Sequence, residues 1–222
     1  MKKKGIIFSG IAAIVIIAII ASISASQSVN ESLNLDMGQT HGTVSTAMGS
    51  PILGSDSAPI TIIEFGDYQC HQCYNWFHNT KDSVVENYIE TGKANLVFID
   101  LAFLGSDSPK AAAATYCAEE QGKYWEFHDL LYTSQEGIDS GWANSERLKA
   151  FAFSLGLDVE LFDSCIDSGK FNKRVQFNIN EAKKQGASAT PTFIIVNSNG
   201  QQQKLVGAQP YAVFKDVIDS MI

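Results

Sequence analysis

The chain has 222 residues, 45% hydrophobic, 18% charged and 10% aromatic, a globular composition that excludes a fibrous or disordered protein. Lys and Arg total 16 against 24 acids, a net charge of −8, and arginine occurs only at Arg147 and Arg174. That balance argues against nucleic-acid binding, where clustered cations supply the affinity. The length suits one domain of about 150–200 residues with something appended.

The appended part comes first. Lys2, Lys3 and Lys4 precede an almost unbroken apolar run from Gly5 to Ala25. As a helix it would span about 30 Å, the thickness of a bilayer core. The lysines ahead of it place the amino terminus in the cytoplasm and the remainder outside the membrane. Residues 1–25 therefore read as a membrane anchor. A cleaved signal peptide is the alternative, its apolar core being longer than the usual 7–15 residues. Cleavage would remove three lysines and no acid, taking the net charge from −8 to −11. Residues 26–58 are rich in Ser, Gly, Thr and Asn without apolar periodicity, the pattern of a flexible, solvated linker.

From residue 59 to residue 222 the pattern sharpens into a single domain. Ile60–Phe65 is a β-branched run expected as a buried strand. After the break at Gly66–Gln69 a helix is expected from about Cys70, carrying Trp76, Phe77, Val84, Val85, Tyr88 and Ile89 at helical spacing and ending at Thr91-Gly92. Asn95–Phe103 reads as a second strand, so the first three elements form a βαβ unit with a parallel pair. An all-helical stretch follows, over about residues 104–186. It has helices starting at Ser108-Pro109, over Trp125–Tyr132, from Asn144 or Ser145 to Leu155, after the Asp158 cap, and over Phe171–Lys184. Strands return at Thr192–Val196 and Gln203–Val206, joined by the turn at Asn197–Gly200. Pro210 opens a last amphipathic helix.

Cys70-His71-Gln72-Cys73 is the strongest chemical signal in the chain. A helix's first turn presents unpaired N–H groups and the positive end of its dipole, which stabilise a thiolate at the first cysteine. Two intervening residues let the second thiol close a small disulfide. Cys70 is thus expected to be the exposed nucleophile and Cys73 the buried resolving thiol. His71 could place a cation beside the thiolate. The competing uses of the pair are half of a zinc or copper site and an inert disulfide. A structural zinc site wants four ligands, and no second close Cys/His pair is present. His78 and His128, beside aromatics in helical segments, read as packed or surface residues.

At this point the residues show a family. The runs GSPILGSDSAPITIIEFGDYQCHQC, LAFLGSDS, GLDVELFDSCIDSGK and GASATPTFIIVN together resemble the DsbA-like thiol–disulfide oxidoreductases, in their membrane-anchored Gram-positive and archaeal form. The resemblance covers about residues 49–222. It implies an α/β thioredoxin fold interrupted by an inserted all-helical subdomain, in agreement with the order of elements above. It also implies a cis peptide at Thr190-Pro191 facing the redox pair, with Thr190, Pro191 and Gln72 on the substrate side. Glu64 matches the family's buried acid, able to move the proton of Cys73, although an inward acid satisfied by hydrogen bonds is an equally ready reading. The dipeptide His71-Gln72 departs from relatives with proline after the first cysteine or histidine before the second, which leaves the potential open between the extremes of the family. Relatives with a second disulfide in the helical part resemble the pair Cys117 and Cys165. Leftover cysteines in an oxidising compartment tend to bond, two buried free thiols being the alternative.

The function implied is an exported, membrane-tethered oxidoreductase that introduces or exchanges disulfides in other exported proteins. It would need no cofactor beyond the Cys70–Cys73 disulfide. The expected partners are reduced or unfolded exported proteins and a membrane reoxidant of the DsbB or vitamin-K-reductase type. The alternative is a copper or zinc carrier that uses the reduced thiolates of Cys70 and Cys73.

Overall fold

A computed structural model describes residues 40–222. The expected membrane segment and residues 26–39 of the expected linker lie outside the described residues. Among the described residues no helix is long and apolar enough to cross a membrane.

Strand β4 (Ile60–Gly66) is buried along its whole length, as a continuous apolar run in a sheet covered on both faces should be. It pairs in parallel with β5 (Ala94–Asp100), Ile60 opposite Ala94 and Gly66 opposite Asp100. On its other edge it pairs antiparallel with β6 (Thr192–Asn197), to which β7 (Gln202–Val206) adds as a hairpin. Alternation along β4 sends Ile60, Ile62 and Glu64 to one face and Thr61, Ile63 and Phe65 to the other. Ile60 and Ile62 pack with Trp76, Val84, Phe214 and Ile218, while Ile63 and Phe65 join the core shared with the helical insertion. The face that carries Glu64 is therefore the one covered by the helix that follows β4.

That helix, α1, is continuous but not uniform. It runs as His71–Trp76, a π-turn Phe77–Lys81, a short α segment Asp82–Val84 and a second π-turn Val85–Ile89. Each wide turn accommodates an extra residue. The first brings Thr80 and Lys81 inward, two polar residues that the apolar spacing alone does not mark for burial.

The insertion holds α2 (Ser108–Glu119), α3 (Tyr124–Thr133), α4 (Ser145–Ser154), α5 (Val159–Asp167) and α6 (Asn172–Lys184). Asn144 and Asp158 cap α4 and α5 by accepting from backbone N–H groups of their first turns, at 2.9–3.1 Å. Cys117 of α2 and Cys165 of α5 are bonded to one another. A final helix, α7 (Tyr211–Met221), follows Pro210 and closes the α1 side of the sheet.

The amino-terminal flank corrects the linker expectation for residues 40–58. Two short strands, β1 (Thr40–His41) and β2 (Val44–Ser45), form a hairpin, and β3 (Leu53–Gly54) pairs antiparallel with β5 as the fifth strand of the sheet. The segment is fixed by apolar packing of Val44, Ile52 and Leu53 and by polar contacts. Ser50 N–H donates to Phe98 O and Ser50 Oγ accepts from Phe98 N–H, while Met48 O accepts from Arg174 Nε and Asn178 Nδ2. Small polar residues held by partners distant in sequence leave no apolar period, so a scan for periodicity reads them as linker.

Candidate active site

β4 ends at Gly66 and the chain turns through Asp67–Gln69 before α1 starts. Gly66 has no space for a side chain: a Cβ there would stand 2.4 Å from Phe98 Cε2 and 3.2 Å from Tyr132 Oη. Asp67 fastens the turn to the sheet. Its Oδ1 accepts from Gln69 N–H at 2.9 Å, its Oδ2 from Phe103 and Leu104 N–H at 2.9 and 3.0 Å, and its carbonyl from Cys70 N–H at 3.0 Å.

Cys70 is the N-cap of α1, and both cysteines are free thiols here. Its Sγ lies 3.4 Å from Cys73 N, accepting that N–H, and 3.3 Å from Thr190 O, to which the thiol donates. Cys70 is 6% exposed and Cys73 fully buried, so the expectation of an exposed nucleophile does not hold: both thiols are buried, Cys70 only slightly less than Cys73. The electrostatics separate the two thiols further. The Cys70 thiol is lowered to about 6 by the Cys73 thiol, opposed by burial and helped by Thr190 and the N–H groups of Cys73 and Gln72. Burial pushes the Cys73 thiol well up, reinforced by its hydrogen bond to Cys70 and by the negative charges of Cys70 and Glu64.

The peptide Thr190-Pro191 is cis and lies against the redox pair through the Thr190 carbonyl. Glu64 is 1% exposed, and neither carboxylate oxygen has a hydrogen-bond partner. Burial raises it to about 8, offset in part by Lys81 and increased by Cys70. The reading of an inward acid satisfied by hydrogen bonds therefore does not hold.

His71 is exposed, its ring stacked on Tyr74 at 5.8 Å and 8°. The lowering of Cys70 comes from hydrogen bonds, with no contribution from this ring among its causes. Gln72 contributes its backbone N–H, and its side chain faces a separate groove with Asn75, Asn79, Pro210 and Tyr211. Between α1 and the insertion lies a second groove of about 530 Å³, lined by Gln69, His71, Tyr74, Leu104 and Gln135–Ile138.

Lys81 and Tyr132 carried no sequence signal, and His128 carried only the reading of a packed or surface histidine. Lys81 is an almost fully buried cation that forms an ion pair with the half-exposed Asp129 and lies 4.6 Å from the centre of the Phe77 ring. Tyr132 stacks on Phe77, and the buried His128 Nδ1 lies 2.9 Å from Tyr68 Oη. Burial holds His128 well below its ordinary value, seconded by the Lys81 charge, so it is neutral at pH 7. Gln69 had a marker, its place immediately before Cys70. Among the described residues no group of three or more His, Cys, Asp or Glu is arranged to hold a metal ion.

A low-pKa thiol capping a helix, a buried partner thiol, and a cis-proline beside them on a thioredoxin sheet are the apparatus of thiol–disulfide exchange. The helical insertion narrows the class to DsbA-like oxidoreductases. Comparisons with known proteins agree. A family model described as thioredoxin matches residues 46–220, and the chain belongs to that family, in its DsbA-like branch. It is 32% identical over 203 residues to the probable disulfide bond formation protein D of Bacillus anthracis, covering 90% of this chain and 88% of that one. Its fold is similar to that of oxidised BdbD from Bacillus subtilis, with a TM-score of 0.73 and 25% identity over 82% of this chain and 97% of that one. It is also similar to α-DsbA1 of Wolbachia pipientis, with a TM-score of 0.67 and 28% identity over 77% of this chain and 89% of that one.

Proposed function

We propose that this oxidoreductase works outside the cytoplasm, tethered by residues 5–25, and that it donates its Cys70–Cys73 disulfide to reduced exported proteins. The observation that carries the direction is the low Cys70 thiol set against the high Cys73 thiol. Stabilising the Cys70 thiolate stabilises the reduced form, so the disulfide is the more easily given up.

In the proposed cycle a substrate thiolate attacks Cys70 Sγ. The Cys70–Cys73 bond breaks, its electron pair leaves with Cys73 Sγ, and a mixed disulfide joins the substrate to Cys70. Cys73, buried and with a raised pKa, takes up a proton, and neutral Glu64, whose charge acts on the Cys73 thiol from β4, is the acid that supplies it. A second substrate thiolate then attacks the substrate sulfur of the mixed disulfide and releases Cys70 as a thiolate. Substrate loses two electrons, and the pair gains them. A membrane reoxidant of the DsbB or vitamin-K-reductase type, acting on the dithiol, completes the turnover. The Thr190-Pro191 peptide beside the pair is itself buried, Thr190 keeping 8% of its surface, and with the exposed Gln72 near it this edge is where an extended substrate segment would pair with backbone.

The deciding measurement is the equilibrium potential of Cys70–Cys73 against glutathione. A value above about −200 mV supports the oxidase reading. A value near that of thioredoxin, about −270 mV, overturns it in favour of reductase or isomerase action.

A further inference from the structure

The insertion touches the redox turn from Ser108 of α2, from His128 and Tyr132 of α3, and through the loop of residues 134–143 between α3 and α4. Gln135 Nε2 donates to two carbonyls of the turn, Tyr68 O at 2.6 Å and Cys70 O at 3.1 Å. Gln69, directly before the nucleophile, is 2% exposed, and its amide meets Asp139 in both directions. Its Nε2 donates to Asp139 Oδ1 at 3.1 Å and to Ser108 Oγ at 2.9 Å, while its Oε1 accepts from Asp139 N–H at 2.6 Å. The Asp139 carboxylate also accepts from Ser106 and Asp107 N–H at 3.0 and 3.1 Å. Asp139 itself sits at φ 51°, in the left-handed region that aspartate tolerates better than most residues.

We propose that Gln135 and Asp139 are positioning residues for the Cys70–Cys73 turn, through which the helical insertion sets how far the reduced pair is favoured over the disulfide. The inference rests on the thiol–disulfide reading above and deepens it.

The argument is geometric. The Cys70 thiolate is stabilised by N–H groups of the first helical turn, and such groups act only while the turn keeps its shape. Helix starts fray unless the preceding chain is held. Here the residues ahead of α1 form no strand or helix of their own, and they are pinned on two sides. Asp67 ties them to the loop after β5, and Gln135 and Asp139, together with Ser108, His128 and Tyr132, tie them to the insertion. Gln135 also donates to the carbonyl of the N-cap residue and so adds positive partial charge at the start of α1. In the oxidised protein the Cys70–Cys73 bond holds the turn covalently and there is no thiolate to stabilise. Loss of the clamp therefore weakens the reduced form selectively.

The test uses the full-length protein with Gln135→Met, which keeps the side-chain length without a donor, and Asp139→Gly, which removes the carboxylate while accepting the positive φ. Thiolate absorbance is titrated against pH, and the equilibrium with glutathione is measured in parallel. Both variants are expected to raise the Cys70 midpoint by about one unit and, by the same factor, to favour the disulfide about tenfold more. Losing the Asp139 charge would by itself move the midpoint downward, so an upward shift reports positioning. Midpoint and equilibrium constant both within twofold of wild type, with only the melting temperature lowered, overturn the inference. A Gln135→Ala variant repeats the measurement should either substitution fail to fold. A wild-type protein that does not cycle with glutathione overturns the thiol–disulfide reading and this inference together. Normal wild-type cycling with unchanged variants overturns the inference alone.

Discussion

The backbone N–H of Cys73 points at Cys70 Sγ from 3.4 Å, while the Cys73 thiol is itself sealed from solvent. One residue thus stabilises its partner's thiolate and resists ionisation on its own account. The division of labour between nucleophile and resolving thiol is built into a single helical turn.

Cys70 should titrate near pH 6, against an ordinary value of 9.0. Because the folded value is depressed, ionisation stabilises the reduced fold, fully above pH 9, and that stability is lost as the pH falls through 6. Between those limits the reduced protein should gain on the oxidised one by at most about 1.4 kcal/mol per pH unit. Urea midpoints of the two forms at pH 5.5 and 8.5 check this, and an unchanged difference between them would contradict it.

Glu64 has the opposite sign. Its folded value of about 8 lies above the ordinary 4.5, so the unfolded chain ionises first and the wild type loses stability as the pH rises from 4.5 to 8. Glu64→Gln removes this loss and should be the more stable protein at pH 8 but not at pH 4. The same variant should slow thiol oxidation by about tenfold or more, since a positioned acid is absent. Equal pH profiles for the variant and wild type would remove Glu64 from the mechanism.

Lys81→Met takes away the charge that holds Glu64 down. The upper end of the Glu64-dependent window is expected to move above pH 8, while Asp129, being half exposed, stays hydrated. Stability of Lys81→Met followed from pH 6 to 10 reads the shift directly, and no movement would show that the two groups are uncoupled.

The Cys117–Cys165 bond joins residues 48 positions apart within the helical insertion. Replacing both cysteines with alanine should cost about 4 kcal/mol by the chain-entropy estimate. Exchange at Cys70–Cys73 should persist wherever the double variant is still folded. Denaturant unfolding and a thiol-exchange assay on the same sample separate the two outcomes.

Gly66→Ala should destabilise by about 1–3 kcal/mol, because its Cβ would meet the Phe98 ring and Tyr132 Oη in an already packed core. A wild-type unfolding midpoint would show that the sheet end is looser than these contacts imply.

Much of this protein was legible in its residues. The β-branched run Ile60–Phe65, the CxxC after it and the caps Asn144 and Asp158 act over a few residues, so local chemistry determined the βαβ start, the helix boundaries and the identity of the redox pair. What escaped the sequence are contacts between distant positions. Residues 40–58 look like linker because their partners are Phe98, Arg174 and Asn178, and no local period records such pairings. Lys81 is turned inward by a π-turn, a departure from the regular helical spacing that its neighbours suggest.

The same division holds at the active site. Spacing in the sequence marked Cys70 and Cys73 as the redox pair, and the family resemblance pointed to Pro191 and Glu64 beside it. Only the tertiary structure decided their poise: it stripped Glu64 of every hydrogen-bond partner, buried Cys73, and brought Gln135 and Asp139 across to the turn. The reason is that desolvation and hydrogen bonding across the fold, which set a group's ionisation, depend on neighbours in space.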